Sequence, residues 1–176
     1  MKVLVTYASK HGSTAEIARH ISEILQENQL AVTFGTIGEV NYVASYDAII
    51  IGSALYSRQW MPAATQFLKT RVDILASKPT WLFSTGPTGE GIAHEMFGGF
   101  RFTEELQPYV DTIQPRDSAV FHGKLDLAKL SLAELQSVKN YGGALGDFRD
   151  WDTITAWAQG IVRELQDTPG QQDALA

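Results

Sequence analysis

Residues 6–14 (TYASKHGST) constrain the fold of this chain more than any other stretch. They follow three apolar residues at positions 3–5 and precede a helical pattern that begins at Ala15. This order predicts a strand, a turn and the start of a helix. Gly12 lets the turn close around a ligand, and the first N–H groups of the helix point into the same space. The turn also offers three hydroxyl donors, those of Ser9, Ser13 and Thr14. Because a helix dipole also favours negative charge there, the turn suits a phosphate monoester.

Other phosphate-binding loops occupy the same place in α/β folds, and the residues exclude several of them. A Walker A loop requires G-x-x-x-x-G-K-[ST], and this segment has neither that spacing nor its lysine. A dinucleotide-binding turn requires G-x-G-x-x-G, whereas this turn contains Gly12 alone, so a single phosphate fits better. The chain has no cysteine, which excludes a cysteine-phosphatase loop. A serine-rich helix cap without a ligand is the remaining alternative.

The turn resembles the phosphate-binding loop of the flavodoxin family, which follows the pattern [TS]-x-[TS]-G-x-T and holds the phosphate of FMN. Ser9, Gly12 and Thr14 stand at the expected places. The similarity extends over most of the chain and is weakest at residues 123–148. The resemblance implies FMN as the cofactor, with its phosphate held by Ser9, Lys10, His11, Gly12, Ser13 and Thr14.

Length and composition favour one α/β domain. A chain of 176 residues with 44% hydrophobic content can bury a single core. We expect the domain to span residues 1–166, with an insertion at about 123–148 and a flexible tail at 167–176. No apolar run approaches the roughly 20 residues of a membrane-spanning helix, and Met1-Lys2 leads directly into a strand, so we expect a cytoplasmic protein.

Charge and cysteine content limit the kinds of function. The net charge of -6 argues against a nucleic-acid binder. Without cysteine there is no disulfide, thiolate metal site or iron–sulfur cluster, so redox chemistry requires a bound organic cofactor. We also predict no metal site, because no two of the histidines have helical metal-ligand spacing.

Hydrophobic periodicity predicts strands that alternate with helices. The predicted strands are residues 2–7, 30–37, 47–52, 80–84 and 119–122, and the predicted helices are residues 13–28, 62–75, 94–110 and 151–165. The run at 47–52 is nearly all apolar, as expected for a central parallel strand buried on both faces. Alternation implies right-handed crossovers. We therefore predict a flavodoxin-like α/β fold, a doubly wound five-stranded parallel sheet of order 2-1-3-4-5 with helices on both faces.

In such a sheet, a ligand lies beyond the carboxyl ends of the strands, where the winding reverses. Three loops end there: residues 9–14 (loop one), 53–60 (loop two) and 84–91 (loop three). By resemblance, loops two and three correspond to the loops that hold the flavin ring in this family. The predicted ring contacts are Ser53, Ala54, Leu55 and Tyr56 in loop two and Ser84, Thr85, Gly86, Pro87, Gly89 and Gly91 in loop three.

Two aromatic residues of loop two could flank the ring. We favour Tyr56, which lies nearer the end of the strand, while Trp60 fits a place in the core equally well. Loop three has no aromatic residue. We therefore expect one face of the ring to be open to a substrate or a quinone.

Within the family, two segments resemble the menaquinone-dependent protoporphyrinogen IX dehydrogenases. These segments are residues 51–58 (IGSALYSR) and 150–152 (DWD). Those enzymes oxidise protoporphyrinogen through FMN, deliver electrons to quinone and carry an insertion, rich in basic and aromatic residues, before the last helix. Here the corresponding stretch, 123–148, has only Lys124, Lys129 and Lys139 as cations, which argues against membrane docking and porphyrin chemistry. Its leucines instead fit a short helix packed on the domain.

The sequence supports three hypotheses on function. The first is an FMN-dependent oxidoreductase that acts on a quinone or a tetrapyrrole-like substrate. The second is a soluble electron carrier between protein partners. In both, the flavin carries the electrons, and no side chain is required as an acid, base or nucleophile. The third is a flavin-free binding domain that retains the fold.

Overall fold

A parallel β-sheet forms the centre of the fold. The computed structural model describes residues 1–99, 102–140 and 142–167. The strands are β1 (Lys2–Ala8), β2 (Ala31–Thr36), β3 (Ala48–Tyr56), β4 (Gln59–Trp60), β5 (Thr80–Thr85), β6 (Asp117–Phe121), β7 (Lys124–Leu125) and β8 (Gly146–Asp147). The helices are α1 (Ser13–Glu27), α2 (Pro62–Ala76), α3 (Gln107–Ile113), α4 (Leu132–Asn140) and α5 (Trp151–Asp167).

The strand order confirms the predicted topology. Parallel strands lie in the order β2-β1-β3-β5-β6. The short β4 pairs antiparallel with β3 and stands outside this series. When the parallel strands are numbered without β4, their order is the predicted 2-1-3-4-5. Loop one follows β1, loop two follows β3 and loop three follows β5, so all three lie at the same edge of the sheet.

Helices cover both faces of the sheet, as predicted. One apolar cluster joins the sheet to α1 and α5, and a second joins it to α2 and α3. Along β1, Val3 and Val5 belong to the first cluster and Leu4 to the second, because successive residues of a strand point to opposite faces. The central position predicted for residues 47–52 is also confirmed, since the isoleucines of β3 are fully buried.

Two predicted elements differ from the structure. The predicted helix at 94–110 is two pieces, a single 3-10 turn at Glu95–Phe97 and the later helix α3. Gly98 and Gly99 follow the 3-10 turn at φ 66° and 80°, and this left-handed conformation ends a right-handed helix. The predicted end of the third strand at Gly52 was also wrong. A Cβ at this position would lie 2.0 Å from the ring of Phe83, so the glycine accommodates an aromatic neighbour while the strand continues.

The predicted insertion forms a small unit at the carboxyl edge of the sheet. β7 and β8 pair antiparallel at its two ends, with α4 between them. The sequence predicted a short helix here, and α4 is that helix. It packs on the domain only shallowly, because no residue of α4 is buried and Leu132 is 87% exposed, while Val138 is half-buried.

Two further observations concern the end of the chain and its helices. The predicted flexible tail at 167–176 lies outside the described residues, apart from Asp167 at the end of α5. Among the described helices, none combines the length and the apolar character needed to cross a membrane.

Candidate functional site

Loop one presents the beginning of α1 at the edge of the sheet. Gly12 precedes the helix at φ 94°, a left-handed conformation that glycine adopts without strain. The first intrahelical bond runs from the N–H of Glu16 to the carbonyl of Gly12 at 2.9 Å. The N–H groups of Ser13, Thr14 and Ala15 come before this bond and have no intrahelical acceptor. Together with the helix dipole, they form an anion-binding helix terminus.

Two serines add hydroxyl groups to this terminus. The Oγ of Ser9 accepts a hydrogen bond from the N–H of Gly12 at 3.1 Å. The Oγ of Ser13 accepts one from the N–H of Lys124 at 3.0 Å. Since both oxygens act as acceptors, each hydroxyl keeps its own hydrogen to donate to a ligand.

Loop two is a two-residue hairpin turn between β3 and β4. Tyr56 pairs with Gln59, which leaves Ser57 and Arg58 as the turn residues, at φ 49° and 64°. Positive φ at both positions is typical of a type I′ turn, which usually contains asparagine or glycine. Each such residue stores about 1–3 kcal/mol of strain, and strain of this kind is concentrated at functional sites. Because the turn lacks Asn and Gly, no sequence signal predicts β4.

The two aromatic residues of loop two occupy different places. Trp60 is 4% exposed, its Nε1–H donates to the Oγ of Ser84 at 2.8 Å, and its ring meets Phe102 edge-on. Trp60 therefore belongs to the core. Tyr56 lines a cavity beside the loop. Burial raises the pKa of its phenol to about 12, and the negative charge of Glu134 adds to this effect.

Loop three approaches the other two loops closely. A Cβ at Gly86 would lie 2.8 Å from the Cβ of Leu55 and 3.3 Å from its carbonyl oxygen. Only glycine allows loops two and three to come so near. Thr85, at the end of β5, has its Oγ1 2.6 Å from the Oγ1 of Thr14, so loop three also contacts loop one.

A cavity of about 170 Å³ lies between loop two, loop three and the insertion. Of the predicted ring contacts, it is lined by Leu55, Tyr56, Gly86 and Pro87. Ser53 and Ser84 are buried beneath the hairpin and accept hydrogen bonds from the N–H of Met61 and from Trp60. The roles of all the predicted ring contacts stay predictions, and six of these residues are not part of the lining: Ser53, Ala54, Ser84, Thr85, Gly89 and Gly91.

The sequence prediction missed the contribution of the insertion to this cavity. Leu125, Leu130, Glu134, Ser137, Val138, Gly142 and Gly143 all line it, together with Met96. Leu130, Glu134 and Val138 recur at intervals of four residues, so they lie on one side of α4 and the turn before it. This spacing was the available signal, but it cannot show whether a helical stripe faces a core or a ligand cavity.

Glu134 connects the insertion to loop one. Its Oε1 lies 2.8 Å from the Nζ of Lys10 and 2.8 Å from the Nε2 of His11. Its Oε2 accepts hydrogen bonds from the N–H and the hydroxyl of Ser131. Lys10, then Ser131 and His11, hold the pKa of the carboxyl group well below its usual range. His11 occupies a position where the loop pattern has serine or threonine, so the departure from the pattern coincides with a partner from the insertion.

The same charged cluster reaches the rim of the cavity. The Nζ of Lys10 lies 6.0 Å from the centroid of the Tyr56 ring. The ring of His11 lies 6.2 Å from that ring, in an edge-on arrangement. Loop one and the cavity are therefore neighbouring parts of one site.

A sequence-family model described as "Flavodoxin domain" matches residues 4–143, a span that includes all three loops. The chain belongs to this flavodoxin family. No curated protein sequence matches it significantly. Flavodoxins bind FMN, so membership of the family supports the predicted cofactor.

Solved structures show the same fold at low sequence identity. A flavodoxin from Pseudomonas aeruginosa has a TM-score of 0.59 and 14% identity over 94% of this chain and 99% of that one. Megasphaera elsdenii flavodoxin has a TM-score of 0.52 and 22% identity over 68% of this chain and 85% of that one. Rubredoxin oxygen:oxidoreductase from Desulfovibrio gigas has a TM-score of 0.62 and 16% identity over 94% of this chain. This chain spans only 36% of that larger enzyme.

The hydrogen-bond donors and the apolar wall of this site suit the two parts of FMN, its phosphate and its ring. The helix N–H groups, the serine hydroxyls and the ammonium group of Lys10 are donors that a phosphate monoester accepts. Leu55 and Tyr56 offer the apolar and aromatic wall that a flavin ring requires. The space for the ring is small, however, because ligand pockets usually measure about 300–1,000 Å³.

Proposed function

We propose that this flavodoxin-family chain binds FMN noncovalently in its three loops and transfers electrons through it. The observation that carries the proposal is the convergence of an anion-binding helix terminus and an apolar cavity at one edge of the sheet. In this arrangement, loop one holds the phosphate through Ser9, Lys10, His11, Gly12, Ser13 and Thr14. Loops two and three hold the ring through Ser53, Ala54, Leu55, Tyr56, Ser84, Thr85, Gly86, Pro87, Gly89 and Gly91.

The residues bind and orient the cofactor, which supplies the redox chemistry when bound. The N–H groups of the first turn of α1 and the free hydroxyl hydrogens of Ser9 and Ser13 fix the phosphate. The phenol of Tyr56 is protonated at neutral pH, as phenols ordinarily are, and burial raises its pKa further, to about 12. It therefore offers a neutral aromatic surface beside the ring.

Titration of the apoprotein tests cofactor binding. We expect saturable quenching of flavin fluorescence by FMN, with riboflavin binding at least tenfold more weakly, because hydrogen bonds to a charged group contribute about 1.5–3 kcal/mol. The double variant Ser9→Ala, Thr14→Ala should weaken FMN binding more than riboflavin binding, because it removes phosphate donors in addition to the bond between Thr14 and Thr85. Absence of saturable quenching, or undiminished FMN affinity in the double variant, would contradict the proposal.

The cavity wall favours a small-molecule redox partner. A carrier that reacts with proteins must expose an edge of its ring, whereas here Met96, Leu130 and Val138 form a further apolar wall beside loops two and three. We therefore propose an FMN-dependent oxidoreductase whose electron donor or acceptor is a quinone or a tetrapyrrole-like molecule. The resemblance of residues 51–58 to the protoporphyrinogen dehydrogenases supports that substrate class.

Anaerobic mixing experiments separate this enzyme from an electron carrier. The flavin of an oxidoreductase of this kind should be reduced by micromolar protoporphyrinogen and reoxidised by menaquinone. The visible absorbance of the flavin measures both steps. A carrier should instead accept electrons from reduced pyridine nucleotide through a flavoprotein reductase. Electron transfer with the protein partner alone would overturn the enzyme proposal and leave FMN binding intact.

A further inference from the structure

The insertion is attached to the domain at both of its ends. At the first end, the N–H of Lys124 donates a hydrogen bond to the Oγ of Ser13. At the second end, the side chain of Arg149 is 4% exposed and binds the carboxylates of Asp147 and Glu16, each at 2.5 Å. These contacts fix the two ends of the insertion relative to loop one and α1.

The middle of the insertion is held far more weakly. Helix α4 buries none of its residues, and Leu130 and Val138 face the cavity while Leu132 is exposed to solvent. Within the described part of the chain, the ion pairs and side-chain hydrogen bonds that join α4 to the sheet loops are those of Glu134 with Lys10 and His11. Removal of these pairs would leave α4 itself with apolar contacts. The chain would still be held on either side of the helix, where the N–H of Ala144 donates to Thr88 of loop three and the Nζ of Lys129 donates to the carbonyl of His11 at 3.5 Å.

The cavity beneath α4 is smaller than a usual ligand pocket. Its volume is about 170 Å³, below the range of about 300–1,000 Å³ that is usual for ligand pockets. Since β3 and β5 fix loops two and three, the wall that can move to make room is the one formed by α4.

We propose that α4 is a lid over the ring cavity and that Glu134 is its latch, released when the phosphate of the ligand takes Lys10 and His11 from the carboxylate. The proposal rests on the proposed FMN function. A phosphate on loop one replaces the carboxylate as the anion beside both cations, and its own negative charge repels Glu134. Partly exposed ion pairs are weak, so phosphate binding can shift the lid toward its open position.

Flavin-binding kinetics test the latch directly. Glu134→Gln removes the charge and keeps the shape of the side chain. We expect the association rate constants of both FMN and riboflavin to rise about three- to tenfold, because the open lid becomes more populated. The control, Glu23→Gln, neutralises an exposed carboxylate far along α1 and should change neither rate. An increase for FMN alone would indicate simple charge repulsion and overturn the latch, as would no increase.

A second variant releases the same contact from the other side. Lys10→Gln should accelerate riboflavin association, although less than Glu134→Gln does, because His11 still holds the carboxylate. The same variant should weaken FMN binding because the phosphate loses a cation. Unchanged riboflavin association in Lys10→Gln would contradict the latch.

Hydrogen exchange of the ligand-free protein separates this proposal from the proposed function. The amides of α4 should exchange about three- to tenfold faster in Glu134→Gln than in the wild type and the Glu23→Gln control. Equal exchange would overturn the latch even if FMN binds tightly. Faster exchange in a protein that fails to bind FMN would support the latch and refute the cofactor.

Discussion

The hydroxyl oxygens of Thr14 and Thr85 lie 2.6 Å apart, although 71 residues separate them in the chain. Thr14 is in the first turn of α1, Thr85 ends β5, and β3 lies between β1 and β5 in the sheet. Both side chains are buried. The bond therefore fixes loop one, the predicted phosphate loop, relative to loop three, in a place that water does not reach.

Thr85→Val should lower the free energy of unfolding by about 1–3 kcal/mol, because it leaves the buried hydroxyl of Thr14 without its partner. Thr14→Val should have a similar cost. Urea denaturation of the two single variants and the double variant measures their coupling. We expect the double variant to lose less stability than the sum of the single losses, and strict additivity would show that the two hydroxyls do not interact.

Gly86→Ala should force loops two and three apart, since the new Cβ would lie 2.8 Å from the Cβ of Leu55. Overpacking of this kind costs about 1–3 kcal/mol of stability. FMN and riboflavin should lose affinity equally, because the change affects the ring site and not the phosphate loop. Gly38→Ala is the matched control, with no atom within 4 Å of the added Cβ. Equal effects of the two substitutions would show that the loops are not in close contact.

The phenol of Tyr56 should ionise near pH 12 instead of its usual 10, since burial and then the charge of Glu134 raise its pKa. Near-ultraviolet difference absorbance between the wild type and Tyr56→Phe measures this titration. Between pH 10 and 12 the native protein keeps a proton that the unfolded chain releases, so the free energy of unfolding falls as pH rises.

Two comparisons test the assignment of this pKa shift. Tyr56→Phe should reduce the loss of stability at alkaline pH. Glu134→Gln should lower the pKa of Tyr56 only part of the way toward 10, because burial is the larger cause. A phenol that titrates normally in the wild type would place Tyr56 in open solvent.

Arg149→Met should destabilise the protein by about 1–3 kcal/mol, because the carboxylates of Asp147 and Glu16 lose charged hydrogen bonds. The methionine keeps much of the apolar packing against Trp151, whose ring lies 4.6 Å from the guanidinium carbon. Thermal or urea unfolding measures the loss. Arg149→Lys should recover only part of it, since an ammonium group cannot make the same paired contacts. A fully stable Arg149→Met protein would show that this end of the insertion needs no anchor.

The sequence predicted the sheet because its signals are local. The apolar run at 47–52 and the amphipathic pattern of α1 are each contained in a few consecutive residues, and strand alternation with helices restricts the topology. The turn at Gly12 was predicted for the same reason. The helix predicted at 94–110 was wrong because the glycines at 98 and 99 adopt a left-handed conformation that ends the first helical turn, whereas the apolar residues around them fit a continuous helix.

The sequence alone determined the flavodoxin-like fold and the strand, turn and helix around Gly12, and it predicted the edge of the sheet at which a ligand would lie. Only the tertiary structure decided that Trp60 is core, that Gly86 touches Leu55 and that the insertion covers the cavity. Such facts depend on contacts between residues that are distant in the chain. His11 and Glu134, for example, are in contact although they are 123 positions apart. A helical stripe of leucines has the same pattern whether it meets a core or a cavity, so the surface that it faces is known only when the chain is folded.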